Sequence, residues 1–207
     1  MDLPATLAAI DTHTKMLFLC SPGNPTSRII PNSVVETILQ TFTHGIVLVD
    51  EAYIDFSGTP SAVCLLSKYS NLVVLQTLSK AFGLAGIRVG MAFAKEDIIQ
   101  LMNNVKAPYN INKLTHETAL SVFLDLSLYS ENVRKLLEER AFLEAELSQM
   151  PVVKKIHPSD ANFILFVVPH AESVYKTMAD SGIVCRYRWT ATTLFCSLLF
   201  LLRFISL

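Results

Sequence analysis

No block of like charge runs through the sequence. Its 17 Lys and Arg face 18 Asp and Glu for a formal net charge of −1, and the basic residues are scattered rather than striped, so nucleic acid is excluded as the expected partner. Paired-cysteine spacing is also missing. The four cysteines, Cys20, Cys64, Cys185 and Cys196, form no CxxC and sit mostly in apolar runs, so no metal site is implied and they read as reduced packing residues of a cytoplasmic protein. The amino terminus, "MDLPATLAAIDTHTKMLFLC", has neither a basic start nor a long apolar stretch, so this stretch is not expected to be a secretory signal. A Walker A loop is absent too, since Lys80 follows Ser79 and precedes Ala81, and nucleotide hydrolysis is disfavoured. Internal repeats and low-complexity linkers are likewise lacking.

A long apolar run is almost present. Residues 189–207, "WTATTLFCSLLFLLRFISL", crowd apolar side chains without a period, with Arg203 among them. A bilayer span needs about 20 predominantly apolar residues, and a charge at bilayer depth is costly. A membrane anchor is therefore disfavoured, and the run is expected neither to complete the fold nor to enter a membrane. A tail-anchored interaction protein stands as a minor alternative.

About half of the residues are apolar, enough to bury a core in 207 residues. Short runs rich in Val, Ile and Leu ("MLFLC", "GIVLVD", "NLVVLQT", "IRVGMAFA") alternate with helical patterns such as "PNSVVETILQTF" and "KEDIIQLMNNV". This alternation predicts an α/β fold with a largely parallel sheet buried on both faces. Two longer helical patterns, "NINKLTHETALSVFLDL" and "SLYSENVRKLLEERAFLEAELSQM", lead out of it. "VVKKIHP", "ANFILFVV" and "GIVCRYR" then supply strands around the helix "HAESVYKTMADSG", predicting a small second α/β unit near residues 130–188.

Ligands of open α/β sheets sit beyond the carboxyl ends of the strands, so the loops there are the places to look. "SPGNPTSR" fixes a turn around Asn24, which is by itself an ordinary turn former. In "VLVDEAYIDF" Asp50 closes an apolar strand, where a carboxylate must be solvated, paired, capping a helix or holding a cation; Tyr53 brings a phenol close by. "QTLSKAFGLAGIRVG" sets Lys80 among small and apolar residues, with Thr77 and Ser79 before it and Arg88 after it. A desolvated amine attacks carbonyls, and an arginine fork suits phosphate. Together with a carboxylate at a neighbouring strand end, this set suits pyridoxal phosphate, which needs an amine for its aldehyde, an anion site and a partner for its ring nitrogen.

From about Met16 to Arg188 the chain resembles the fold-type I pyridoxal-phosphate aminotransferases, and within them the histidinol-phosphate aminotransferases. "SPGNPTSRIIP", "VLVDEAYIDF", "TLSKAFGLAGIRVG", "VKAPYNIN" and "SDANFILF" match that family in order. The resemblance implies that Lys80 carries the cofactor and shuttles the proton between the substrate's α-carbon and the cofactor, and that Asp50 pairs with the ring nitrogen. Asn24 and Tyr53 would bond its 3-oxygen, and Arg88, Ser79 and Thr77 would hold its phosphate. Arg186 matches a family arginine that receives the substrate's phosphate, or is a solvated arginine near a strand end. The substrates implied are an amino donor and a 2-oxo acid, namely histidinol phosphate and 2-oxoglutarate, and the assembly implied is a homodimer. The expected division is part of the large cofactor-binding domain in residues 1–127, part of the small C-terminal domain in 128–188, and a divergent tail in 189–207. The family segment before "LFLCSPGNPT" and the arginine-bearing segment after "CRYR" have no counterpart in this sequence, so the alternative expectation is a fragment or pseudoenzyme that holds cofactor without turnover.

Overall fold

The computed structural model describes the backbone of residues 1–190 and 193–199 and the side chains through Tyr187. Helix α1 (Leu3–Ala8) precedes strand β1 (Met16–Cys20), helix α2 (Asn32–Thr41) and strand β2 (Ile46–Asp50). Strand β3 (Leu72–Thr77) and strand β4 (Gly90–Ala94) complete a sheet of order β1-β2-β3-β4. β1, β2 and β3 are parallel, and β4 returns antiparallel at the edge. Cys20 lies opposite Asp50, and Asp50 opposite Leu75, so the carboxyl ends of three strands arrive at one edge of the sheet. β4 starts at that same edge, Gly90 facing Thr77.

The central strands are buried on both faces, with Leu48 and Val73 on one and the larger cluster on the other. Leu19, Val47, Val49, Leu72 and Val74 meet Val35, Ile38, Leu39 and Phe42 from α2 and its end. Each such side chain contributes roughly 1.5–3 kcal/mol when fully buried. Gly45 lets the chain pass close beneath: a Cβ there would lie 2.2 Å from Phe42 Cζ and 2.6 Å from the Lys15 carbonyl oxygen. The expected burial on both faces fails at β1, where Met16, Phe18 and Cys20 share the opposite face and Phe18 is 64% exposed. β1 is an edge strand among the described residues, so its second face meets fewer neighbours.

The chain continues through α3 (Glu96–Val105), α4 (Lys113–Leu124) and α5 (Ser127–Gln149). Asn112 caps α4 by accepting the Thr115 N–H at 2.9 Å. A second sheet follows, of order β5-β6-β8-β7 and antiparallel throughout: β5 (Lys155–His157), β6 (Phe163–Val167), β8 (Thr193–Leu199) and β7 (Arg186–Thr190). Helix α6 (Ala171–Asp180) lies between β6 and β7 in the chain, and Ala171 packs with Ile164, Phe166, Val168 and Leu147 of α5. Strand expectations are shortened here. β5 keeps only the middle of "VVKKIHP", and β7 begins at Arg186 rather than at Gly182.

Residues 193–199, expected to add no element, pair as β8 between β6 and β7. An apolar run without alternation suits an interior strand, whose backbone groups are taken on both sides. Trp189 and Thr190 of that run end β7, and residues 191–192 and 200–207, Arg203 among them, lie outside the described residues. Among the described residues no helix is long and apolar enough to cross a membrane, and no cluster of His, Cys, Asp and Glu has the spacing to hold a metal ion. The cysteines depart from expectation. Of Cys20, Cys64 and Cys185 only Cys185 is buried, because Cys20 sits on the open face of β1 and Cys64 in a surface turn.

A third apolar cluster joins parts distant in sequence: Tyr53, Phe56 and Ala81 from the first sheet's loops, Leu136 from α5, and Ala161 and Phe163 from the start of β6. Polar staples reinforce it. Asp160 accepts the Ile29 N–H at 2.9 Å and pairs with Arg28 at 3.3 Å, while its own N–H donates to the Ser27 carbonyl at 2.7 Å. Tyr129 of α5 donates to Asp55 at 2.9 Å and stacks on Phe82, ring centroids 4.5 Å apart.

Candidate functional site

The edge where β1, β2 and β3 end carries most of the residues singled out in the sequence. After β1 the chain turns through "SPGNPTSR", with the Gly23 N–H on the Arg28 carbonyl and the Ser27 N–H on the Gly23 carbonyl. Ser27, buried with a left-handed φ of 55°, closes this turn. It presents Asn24, whose side-chain amide donates to the Tyr53 phenol at 3.1 Å.

Asp50 ends β2, partly buried, and its Oδ1 accepts the Ala52 N–H at 3.0 Å. The backbone then enters a 3-10 turn at Ile54–Phe56 that leaves Tyr53 buried, its ring edge-on to Phe163 with centroids 5.2 Å apart. Asp50 is also felt across the register. The Cys20 thiol, although exposed, is pushed above its ordinary pKa, first by partial desolvation and then by the Asp50 carboxylate.

β3 delivers the lysine. Thr77 Oγ1 donates to the Val89 carbonyl at 3.2 Å and accepts the Ser79 N–H at 3.1 Å, which turns the chain out of the strand. Leu78 is buried beneath that turn, and Gly83, at φ 70°, bends the backbone back with its N–H on the Lys80 carbonyl at 3.0 Å. Only a residue without Cβ takes that φ at no steric cost. Lys80, partly buried, holds its ammonium 5.2 Å from the centre of the Tyr53 ring. Among the described residues neither Lys80 nor Asp50 is in an ion pair, although two opposite charges stand at adjacent strand ends.

Asn24, Tyr53 and Lys80 are thus in one constellation. Thr77 and Ser79 are bonded to each other just before the lysine. Arg88 stands apart. It is exposed, in a left-handed conformation at φ 59°, and its Nη1 donates to the Ala85 carbonyl at 2.9 Å, at the foot of β4 on the same edge of the sheet. Arg186 opens β7 in the second sheet, exposed and opposite Ser197.

Two features escaped the sequence reading. Glu51, beside Asp50, is 2% exposed and accepts from Ser61 Oγ at 2.5 Å, the Ala62 N–H at 2.6 Å and Gln76 Nε2 at 2.9 Å. Its adjacency to Asp50 was the available signal. Asp55 is pushed above the usual carboxylate range by burial, partly offset by the Tyr129 hydrogen bond. Tyr129 is raised to about 12 by burial and by Asp55. Nothing local in the sequence pairs residues so far apart.

A three-stranded parallel core with an antiparallel edge strand, functional side chains at one strand edge and a second α/β unit behind them define an α/β protein of fold type I. The fold matches that of the histidinol-phosphate aminotransferase from Clostridium acetobutylicum with a TM-score of 0.87 at 23% identity, over 96% of this chain and 63% of that one. It matches that of the L-threonine-O-3-phosphate decarboxylase from Porphyromonas gingivalis at 0.82 and 20%, over 95% and 62%. The fold therefore does not choose the reaction. The chain belongs to the family of class I and II aminotransferases, whose sequence pattern matches residues 1–196. A histidinol-phosphate aminotransferase from Cytophaga hutchinsonii is 47% identical over 188 residues, which is 91% of this chain and 54% of that protein. The chain spans about half the length of the curated relatives it matches.

Proposed function

We propose that this chain carries the lysine side of a pyridoxal-phosphate site and that its reaction is transamination of histidinol phosphate with 2-oxoglutarate, giving imidazole acetol phosphate and glutamate in histidine biosynthesis. The observation that carries the reading is the half-buried Lys80 ammonium over the Tyr53 ring, outside any ion pair among the described residues. A lysine at a strand end, set against an aromatic ring and not engaged by a carboxylate, is placed to meet a ligand. The donor set fits the cofactor. It offers an amine, a carboxylate at the next strand end, an amide and phenol already bonded to each other, and a guanidinium at the same edge.

Pyridoxal phosphate supplies an aldehyde that takes up amines and a ring that draws electrons from the bond broken at the substrate's α-carbon. In this reading Lys80 Nζ holds the cofactor and, when released, takes and returns the proton at the substrate's α-carbon. The Asp50 carboxylate keeps the ring nitrogen protonated. Asn24 and Tyr53 orient the ring through its 3-oxygen. Ser79, Thr77 and Arg88 would bind the phosphate, Thr77 and Arg88 after leaving the Val89 and Ala85 carbonyls. Arg186 receives the substrate's own phosphate. The reading includes a cytoplasmic location, and a homodimer supported by the exposed apolar side chains Val105, Tyr109, Leu114 and Leu124. Residues 1–127 act as the cofactor domain, and residues 128–188 together with β8 as the small domain.

The choice of substrate rests on the 47% identity to the relative from Cytophaga hutchinsonii. Glutamate formation from 2-oxoglutarate, measured with histidinol phosphate against phosphothreonine and aromatic amino acids as donors, tests it. Preference for another donor would overturn the substrate. A second reading, cofactor binding without turnover, is favoured by the exposure of Arg88 and Asn24. It predicts a labelled Lys80 with no glutamate formed from any donor.

A further inference from the structure

The carboxylate next to Asp50 has no part in the chemistry above, yet it is among the most buried polar groups of the described chain. Consecutive residues at a strand end point to opposite sides, so Glu51 faces away from Asp50. There its oxygens take three neutral donors, the Ser61 hydroxyl, the Ala62 N–H and the Gln76 side-chain amide. Gln76 Nε2 also lies 3.2 Å from Ser61 Oγ, which in turn accepts the Val63 N–H at 3.1 Å. The Glu51 backbone belongs to the same lattice. Its N–H donates to the Leu75 carbonyl at 2.8 Å, and its carbonyl accepts the Ile54 N–H at 3.1 Å.

These bonds join two stretches that carry different halves of the site. Glu51 lies between Asp50 and Tyr53, and Gln76 is the strand residue before Thr77, Ser79 and Lys80. We propose that Glu51 is a positioning residue: by bridging to Gln76 it sets the spacing of the Asp50 and Tyr53 loop against the Lys80 turn, and so the spacing of the carboxylate and phenol from the amine. The proposal rests on the reading of Lys80 and Asp50 as cofactor ligands, and its first readout does not.

The charge of the acceptor makes the idea specific. With glutamine at this position Gln76 can turn its amide to accept from the new NH2, and the new carbonyl oxygen still accepts the Ala62 N–H, but every bond of the bridge is then between neutral groups. The reciprocal exchange restores a carboxylate to the bridge. In Glu51→Gln with Gln76→Glu, the carbonyl oxygen of the new amide accepts from Ala62, its NH2 donates to the new carboxylate, and Ser61 donates there as well. The single variant loses a bond to a charged acceptor, which is worth roughly a tenfold change in whatever the spacing controls.

The test compares the wild-type chain, Glu51→Gln and the exchanged pair, first by amide hydrogen exchange without cofactor. Glu51→Gln is expected to speed exchange at Ala52, Ile54, Leu78, Ser79 and Gly83 by about tenfold over its effect elsewhere, and the exchanged pair to restore protection. Pyridoxal phosphate affinity, read from visible absorbance and borohydride-fixed label on Lys80, should fall about tenfold and recover in the same order. A merely structural glutamate would loosen the whole chain evenly, and that result overturns the proposal, as does failure of the exchanged pair to restore both readouts where wild type takes up label. If wild type takes up no label at Lys80, the cofactor reading fails, and the exchange pattern alone then decides the bridge.

Discussion

Replacing Asp160 by alanine separates two contributions that the structure places on one side chain. Asp160 Oδ2 accepts the Ile29 N–H at 2.9 Å and lies 3.3 Å from Arg28 Nη1, with side-chain exposures of 22% for Asp160 and 55% for Arg28. A half-buried N–H losing a charged acceptor costs about 1.5–3 kcal/mol. The ion pair, more than half in water on the arginine side, contributes roughly 0.2–1 kcal/mol. Asp160→Ala should therefore cost about 2–4 kcal/mol and Arg28→Ala less than about 1 kcal/mol. At ~2–4 °C per kcal/mol for a chain of this size, the unfolding midpoints should drop by roughly 4–16 °C and by no more than ~4 °C. Asp160→Asn keeps an acceptor for Ile29 and should fall between the two. The double variant should lie within about 0.5 kcal/mol of Asp160→Ala, because Arg28 has by then lost its partner. Thermal and urea unfolding followed by circular dichroism measures all four. Equal losses for Arg28→Ala and Asp160→Ala would refute the assignment, since the ion pair rather than the backbone hydrogen bond would then be the staple.

Tyr129, with its pKa raised to about 12 by burial and Asp55, favours its neutral form when folded. Its contribution to stability is complete below about pH 10 and is lost as pH rises through about 12; urea unfolding should show this loss in the wild type and not in Tyr129→Phe. Gly45→Ala pushes a methyl to within 2.2 Å of Phe42 Cζ and 2.6 Å of the Lys15 carbonyl, and should lower stability by about 1–3 kcal/mol in the same assay. Removing residues 189–207 takes β8 from between β6 and β7; the unfolding midpoint should fall, and a rise would return the run to the status of an added tail. Asp50→Asn should leave label on Lys80 largely intact while slowing exchange of the substrate's α-hydrogen in deuterated water, because holding the cofactor and drawing electrons are separate tasks.

What the sequence disclosed and what it withheld divide along physical lines. β2 and β3 are visible as short Val- and Leu-rich runs because a strand in the middle of an α/β fold is apolar almost throughout, the edge strands β1 and β4 continue the same alternation of apolar runs with helices, and Lys80 is visible because a lysine there is out of character. The direction of β4 is not written in its residues; antiparallel return depends on the chain between Thr77 and Gly90 turning back at the same edge. β8 went unrecognised for a related reason. A run without period reads equally as a failed span or as an interior strand, and only its partners β6 and β7 decide. Glu51 and Asp160 show the limit most clearly. Each is an unremarkable acidic residue in the sequence, and each takes its role from donors brought in from elsewhere, Gln76 and Ser61 for one, Ile29 and Arg28 for the other.

The central claim is that Lys80 is the amine of a pyridoxal-phosphate site. Incubating the purified chain with pyridoxal phosphate, reducing with borohydride and mapping the modified peptides measures this directly. The account predicts pyridoxyl label concentrated on Lys80, absent from Lys80→Ala, and displaced when an amino donor is added before reduction. Label spread over exposed lysines such as Lys95, Lys106 and Lys113, with no preference for Lys80, would contradict it.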